Sequence, residues 1–177
     1  MPRKNLLSLL EGGDRRTIGR ADQVAVMVSR DPGLFPQLIA GLWSDQPLVR
    51  MRAADTAEKV TRRNREFLQP YKKELLGLMA ETEEQELRWH LAAMIPRLAL
   101  NSRELQLAVS FLKRYLEDPS SIVKTSALQG LADLANLTDE HSALRSQVID
   151  LLREATRTGT PAMKARSRKL LRMASGE

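Results

Sequence analysis

The 177-residue sequence predicts an all-α fold, a right-handed α-α superhelix of about five helical hairpins. Alanine and aliphatic residues dominate, and glycine is sparse, which favours helices over strands. No segment shows the period-two alternation of a half-buried strand. An apolar residue followed by a basic one recurs in four helix-like segments, at intervals of 38, 36 and 40 residues: Val49-Arg50, Leu87-Arg88, Val123-Lys124 and Met163-Lys164.

Each hairpin is predicted to contain a helix A, a turn and a helix B, within a single domain, 1–177. The first hairpin, about 4–30, is short and is divided by Gly12-Gly13, a pair that commonly ends a helix. Helix A of the second begins after Asp31-Pro32, because aspartate caps helices and proline is tolerated in the first turn. Similar turn signals place the other hairpins at about 33–63, 65–100, 103–136 and 139–174.

The B helices carry matching apolar stripes, in which residues three or four apart share one helix face. A single hairpin cannot bury such a face alone, so neighbouring hairpins must stack. We expect Ala127→Asp, in a stripe, to cost several kcal/mol, and Ala132→Asp, on the opposite face, to cost little. The predicted stripes are Val49, Ala53, Ala57, Val60; Leu87, Leu91, Met94, Leu98; Val123, Ala127, Leu131, Leu134; and Met163, Ser167, Leu171, Ala174.

Two residues make specific predictions about single helices. Trp43 closes the stripe of a helix A, so we expect it in the core. Pro96 lies inside the third B helix and should kink it, because proline removes a backbone hydrogen bond and displaces the preceding turn.

Two turns resemble the HEAT-repeat (armadillo-type) family. Residues 44–54 and 118–128 each combine a turn aspartate with valine, then arginine or lysine, and an alanine-containing helix. Pro36 lies 14 residues before Arg50, where the family often has a proline. The resemblance covers about 33–174 and implies a HEAT-like α-solenoid whose B helices line the concave side. It also implies a structural ladder, in which the basic column bonds the turn aspartate of its own or the adjacent repeat: Arg50, Arg88, Lys124 and Lys164 with Asp45 and Asp118.

Charge and cysteine content narrow the class of function. The formal charge is +6, but residues 64–144 carry 9 basic and 12 acidic side chains, which argues against a continuous nucleic-acid track. The chain has no cysteine, so disulfides and thiolate metal sites cannot hold the fold. Apolar runs are too short for a membrane span or a secretion signal. We therefore expect a cytoplasmic protein without a cofactor.

No residue pattern marks an active site. His90 and His141 lie on different elements, without a second ligand at metal-binding spacing. Gly12-Gly13 lacks the following Lys-Ser/Thr pair of a phosphate-binding loop. Trp89 invites comparison with HEAT-like alkylpurine DNA glycosylases, but position 93, one turn later, is alanine and the middle of the chain is acidic. We expect no catalytic activity and no metal.

The face of the B helices opposite the stripes is the candidate partner surface. Protein recognition uses an aromatic anchor with a polar surround, whereas phosphate recognition needs lysine and arginine. We expect a scaffold that binds a protein or peptide through Met51, Arg62, Trp89, Gln129, Lys169 and Arg172. Whether a neighbouring repeat covers Trp89 stays open at this point. The alternative is a nucleic-acid-binding protein, similar to DNA alkylation-repair proteins, that uses Lys164, Arg166, Arg168, Lys169 and Arg172.

Overall fold

The computed structural model describes residues 5–14, 16–139 and 142–175. These residues form α-helices and short 3-10 helices, with no β-strand among them, which confirms the all-α prediction. The α-helices are α1 (Ala21–Arg30), α2 (Phe35–Ala40), α3 (Pro47–Thr61), α4 (Lys72–Glu81), α5 (Gln85–Met94), α6 (Ser102–Tyr115), α7 (Ser121–Asn136), α8 (Ala143–Thr158) and α9 (Pro161–Ser175). The first predicted helix A is the 3-10 helix Leu6–Leu10, and each of the other predicted helices corresponds to one of these α-helices.

The chain divides into two compact units, with the boundary after Lys72. In the first unit, α3 packs against α1, α2 and two 3-10 helices, Leu6–Leu10 and Gly41–Trp43. The predicted stripe of α3 is buried throughout. In the second unit, α7 is central and packs against α5, α6, α8 and α9, while α8 and α9 also pack together.

Helix A of the second hairpin is divided into three short pieces. Asp31 caps the 3-10 turn Pro32–Leu34 by accepting a hydrogen bond from the Gly33 amide at 3.0 Å. Pro36 lies in the first turn of α2, which is followed by the 3-10 turn Gly41–Trp43. Trp43 is 46% exposed, so the core prediction for it is wrong. A 3-10 turn has only three residues per turn, which carries the last residue of the segment off the apolar stripe.

The stripes of α5 and α7 are buried as predicted, and in α9 Ser167 is buried as predicted, but the stripe of α9 departs from the prediction after this residue. Leu170 is buried, whereas Leu171 is half-buried and Ala174 is exposed. Helix α9 packs mainly against α7 and α8, and those two neighbours set its buried face.

Ala132 shows a second limit of the helical wheel. It is 6% exposed, although it lies opposite the predicted stripe. Because α7 contacts four other helices, more than one of its faces is buried. The expectation that Ala132→Asp costs little is therefore wrong, since both this substitution and Ala127→Asp place a carboxylate in the core.

Pro96 ends an α-helix instead of kinking one. Helix α5 stops at Met94 and continues as the 3-10 turn Ile95–Arg97, with the Leu98 amide donating to the Ile95 carbonyl. Proline has no N–H for the α-helical bond to residue 92, so the chain changes to a tighter turn. None of the described helices is long and apolar enough to cross a lipid bilayer.

Candidate functional site

Arg88 and Arg50, two members of the basic column, make different contacts. Arg88 pairs with Asp118 across consecutive hairpins of the second unit, with Nη1 and Oδ2 2.6 Å apart. The other oxygen of Asp118 accepts from the Ser120 amide at 2.8 Å. The predicted ladder allowed a bond within one repeat, such as Lys124 with Asp118, or between adjacent repeats, and Arg88 forms the second kind. In the first unit, Arg50 Nη1 donates to the Ser44 carbonyl at 2.6 Å.

Arg88 belongs to a group of side chains that satisfy the carboxyl end of α4. The last carbonyls of a helix lack intrahelical donors. Here Tyr115 Oη donates to the Met79 carbonyl at 2.7 Å, and Arg114 Nη2 donates to the Ala80 carbonyl at 2.5 Å. Arg88 also lies 5.2 Å from the centre of the Tyr115 ring, and burial raises the pKa of that phenol. A polar cleft lies beside these side chains and is lined by Ala80, Glu81, Glu83, Arg88, Arg114 and Tyr115. Its arginine and tyrosine side chains are therefore explained by the capping of α4.

Arg52 is a buried cation that the sequence analysis missed. It is 1% exposed, and its guanidinium donates to backbone carbonyls of the loop before α1. Nη1 reaches the oxygens of Leu10 at 2.8 Å and Gly12 at 2.6 Å, and Nη2 reaches those of Asp14 at 3.0 Å and Thr17 at 3.1 Å. Arg52 thus holds this loop against α3.

Gly19 provides the one signal that could have pointed to this arrangement. Its φ is +54°, and a Cβ there would lie 2.9 Å from Arg52 Cζ. The matching sequence pattern has two parts. The loop has three glycines between residues 12 and 19, and Arg52, later in the chain, directly precedes Ala53 of an apolar stripe. The pattern does not by itself indicate that the two segments meet.

The predicted partner residues are divided between the two units. Met51 lies on α3 of the first unit and is half-buried, and Arg62 directly follows the last residue of that helix. Arg62 forms two hydrogen bonds with Glu58, Nε–Oε1 at 2.9 Å and Nη2–Oε2 at 2.6 Å. This hydrogen bonding raises the pKa of Arg62, so the guanidinium is held along its own helix.

The remaining partner residues lie on α5, α7 and α9 of the second unit. Trp89 on α5 is half-buried, and its ring centre lies 5.3 Å from that of His90 in an edge-on arrangement. On α7, Gln129 Nε2 donates to Asp133 Oδ1 at 2.8 Å. Arg166 Nη1 on α9 donates to Gln129 Oε1 at 2.7 Å. The bond between Gln129 and Arg166 thus connects α7 to α9. Helix α7 also packs against α5, which carries Trp89.

Most of the nucleic-acid candidates on α9 are exposed. Helix α9 contains five basic residues and no acidic one. Arg166, Arg168, Lys169 and Arg172 are exposed, and Lys164 is half-buried. Arg153 and Arg157 on α8 pair instead with acidic residues of their own helix, Asp150 and Glu154.

A small cleft, here called the α7–α9 cleft, lies between the ends of α7 and α9 and the start of α8. Its volume is about 40 Å³, far below the several hundred Å³ of a typical small-molecule pocket. Its walls are apolar, while Gln129, Asp133 and Arg145 supply polar groups. Burial raises the pKa of Asp133, although the Gln129 bond and the charges of Arg97 and Arg166 oppose the shift.

We expect Asp133→Asn to stabilise the protein at neutral pH. In the unfolded chain an aspartate titrates near about 3.9, below the pKa of Asp133 in the fold. The stabilisation that protonated Asp133 provides at acidic pH is therefore lost as the pH rises through its folded pKa. Asparagine stays neutral and keeps an acceptor for Gln129. Urea unfolding should show a higher free energy of unfolding for the variant at pH 7 and little difference near pH 3.5. Destabilisation at pH 7 would mean that attraction to Arg97 and Arg166 outweighs burial.

His90, the one histidine in the described ranges, belongs to no candidate metal site. His90 is buried beside Trp89, and His141 lies outside the described residues. Across the described ranges, His, Asp and Glu side chains nowhere form a group of three or more that could hold a metal ion. No protein-family model matches the chain, and no curated protein is similar to it. The likeness to HEAT repeats therefore depends on the turn and stripe patterns.

Proposed function

We propose that this chain is a HEAT-like, non-catalytic interaction module of the cytoplasm that binds a protein or peptide. The binding surface in this proposal is the α5–α7–α9 face of the second unit, made by Trp89, Ala93, Gln129, Arg166 and Lys169. The observation that supports it best is the half-buried Trp89 on α5. Helix α5 packs against α7, and Gln129 on α7 is bonded to Arg166 on α9. Binding hot spots are typically aromatic residues surrounded by polar groups.

The ordered polar groups on this face favour binding a partner without a large entropic cost. Gln129 is bonded on both sides, to Asp133 and to Arg166, so its orientation is already set. Side chains that are immobilised only on association lose about 0.5–1.5 kcal/mol each in conformational entropy. A face with fixed polar groups avoids much of that loss.

The distribution of charge supports a protein partner over a nucleic acid. A phosphate backbone needs cations along its path. On α5 and the 3-10 turn after it the same face offers Trp89, Ala93 and Pro96, and on α7 it offers Gln129 beside the carboxylate of Asp133. The cations of this face lie on α9, which is too short a track for a continuous phosphate chain.

The test is affinity capture from the native organism, with and without nuclease. We expect captured proteins to survive nuclease and to disappear with Trp89→Ala, because the indole is their apolar anchor. Trp43→Ala is the matched control, since Trp43 is an exposed tryptophan in the first unit. A captured protein, once purified, should bind the Trp89→Ala variant at least about tenfold more weakly, a loss of roughly 1.4 kcal/mol. Equal capture by both alanine variants would contradict the proposal.

Nucleic-acid binding by α9 is the competing outcome. It would cause the loss of every captured partner on nuclease treatment. It would also give a steep fall of oligonucleotide affinity with salt, because each neutralised phosphate releases counterions. Glutamine at Lys164, Arg166, Arg168, Lys169 and Arg172 should then flatten the salt dependence. We expect only weak oligonucleotide binding that vanishes near physiological salt.

A further inference from the structure

We infer that the α7–α9 cleft binds one apolar side chain of an acidic peptide segment. This inference rests on the proposed function and deepens it, because it names the chemistry of the partner. Three features of the second unit lead to it: the apolar walls of the cleft, the exposure of one wall, and the charges around the rim.

The cleft has the chemistry of a pocket for a single aliphatic side chain. Ala132, Val148, Leu152 and Leu170 are buried and form its floor and sides. Met173, which also lines it, is 64% exposed. Methionine is flexible and polarisable, so it adapts to apolar groups at binding surfaces. An apolar residue of a partner would cover this thioether and remove apolar area from water.

Basic side chains dominate α9, the helix that forms one wall of the cleft, because it carries five basic residues and no acidic one. Arg145 lies in its lining, and Lys169 precedes the lining residues Leu170 and Met173 by one and four positions on α9. Positions four apart on a helix share a face, so Lys169 and Met173 are neighbours. Among the described residues, no carboxylate lies within ion-pair distance of Arg145 or Lys169. The cleft contains one carboxylate, Asp133, which already experiences the charges of Arg97 and Arg166.

These features select an acidic peptide over a phosphate chain. Acidic residues on either side of the apolar anchor would pair with Arg145 and Lys169 and gain charge-assisted hydrogen bonds. A backbone N–H of the peptide would donate to Asp133, which repels phosphate but accepts amides. A nucleic acid offers no aliphatic side chain for the cleft.

The test uses three blocked synthetic pentapeptides and the full chain with 13C-labelled methyl groups. The peptides are Glu-Glu-Leu-Glu-Glu, the same peptide with glycine at the centre, and Lys-Lys-Leu-Lys-Lys. We expect the first to shift the methyl signals of Met173 and Ile149, which line the cleft. Glycine at the centre should weaken binding at least about tenfold. The lysine peptide should cause no shift at these methyl groups.

A pair of matched variants checks the location. Ala174 is exposed and lines the cleft, so Ala174→Trp should fill the cleft and abolish binding of Glu-Glu-Leu-Glu-Glu. Ala165 is an exposed alanine of α9 outside the lining, and Ala165→Trp should leave binding unchanged. Equal loss in both variants, equal binding of all three peptides, or no shift at Met173 would overturn the inference. So would tighter binding of an oligothymidylate at the same methyl groups.

Failure of this inference can be told apart from failure of the proposed function. If Trp89→Ala abolishes protein capture and the peptides leave Met173 unshifted, the cleft assignment alone is wrong. If the acidic peptide binds the cleft and Trp89→Ala leaves capture intact, the anchoring role of Trp89 is wrong and the cleft assignment stands.

Discussion

Arg52→Met should lower the free energy of unfolding of the first unit by about 3 kcal/mol or more. The side chain volume is similar, but the guanidinium and its bonds are lost. Hydrogen bonds to charged groups contribute roughly 1.5–3 kcal/mol each, and acceptors left buried without a partner add a desolvation cost. The acceptors are backbone carbonyls of Leu10, Gly12, Asp14 and Thr17.

Hydrogen exchange would locate this effect, because the bonds all hold one loop. Amides of Leu6–Leu10 and α1 should exchange faster in Arg52→Met, while those of α7 should keep their protection. Arg52→Lys should also destabilise, since one ammonium cannot reproduce the two-sided reach of the guanidinium. Arg62→Gln, at the carboxyl end of the same helix, is the matched control. Arg62 is largely exposed, and glutamine can still donate a hydrogen bond to the buried carboxylate of Glu58, so we expect a smaller loss than in Arg52→Met. Equal losses in Arg52→Met and Arg62→Gln would show that the loop contacts contribute little.

Gly130→Ala is expected to destabilise the second unit by about 2–3 kcal/mol, although alanine is the better helix former. A Cβ at this position of α7 would lie 2.6 Å from the Ala92 carbonyl oxygen of α5 and 3.2 Å from a methyl group of Leu112. The first of these is a backbone atom, so relief requires the two helices to separate. Moving α5 from α7 would open the buried contact between their stripes.

Pro96 explains why this oxygen faces a glycine. In a continuous α-helix the carbonyl of residue 92 would accept from the N–H of residue 96, which proline lacks. The Ala92 carbonyl is thus available for the close approach of Gly130, where a Cα–H contact is possible. Pro96 and Gly130, 34 positions apart in the sequence, therefore act together, since one frees the Ala92 carbonyl and the other leaves room for it.

Gly77→Ala provides the control of opposite sign. Gly77 is exposed within α4, and a Cβ there would meet nothing within 4 Å. Helix propensity alone predicts stabilisation by about 0.5–1 kcal/mol. Thermal melts of the two variants should shift in opposite directions. A Gly130→Ala variant as stable as Gly77→Ala would show that α5 and α7 separate without cost.

The sequence by itself determined the helices and the faces that most of them bury. The stripe beginning at Leu87 and the one beginning at Val123 are buried as predicted, because side chains three and four apart share a face in any α-helix. Asp31-Pro32 marked a helix start for an equally local reason, since capping involves residues within one turn.

Tertiary structure decided which residues meet across elements. Asp118 pairs with Arg88, 30 residues away, and Arg52 bonds a loop 35–42 residues away. The neighbouring helices decided the rest. Ala132 is buried because α7 packs against four helices, and Leu170 is buried in place of Leu171 because α7 and α8 set the buried face of α9. The periodicity of apolar residues predicts the buried face of a helix that packs against one flat surface. The contacts of a helix with several partners depend on packing angles and side-chain reach, which no local sequence pattern encodes.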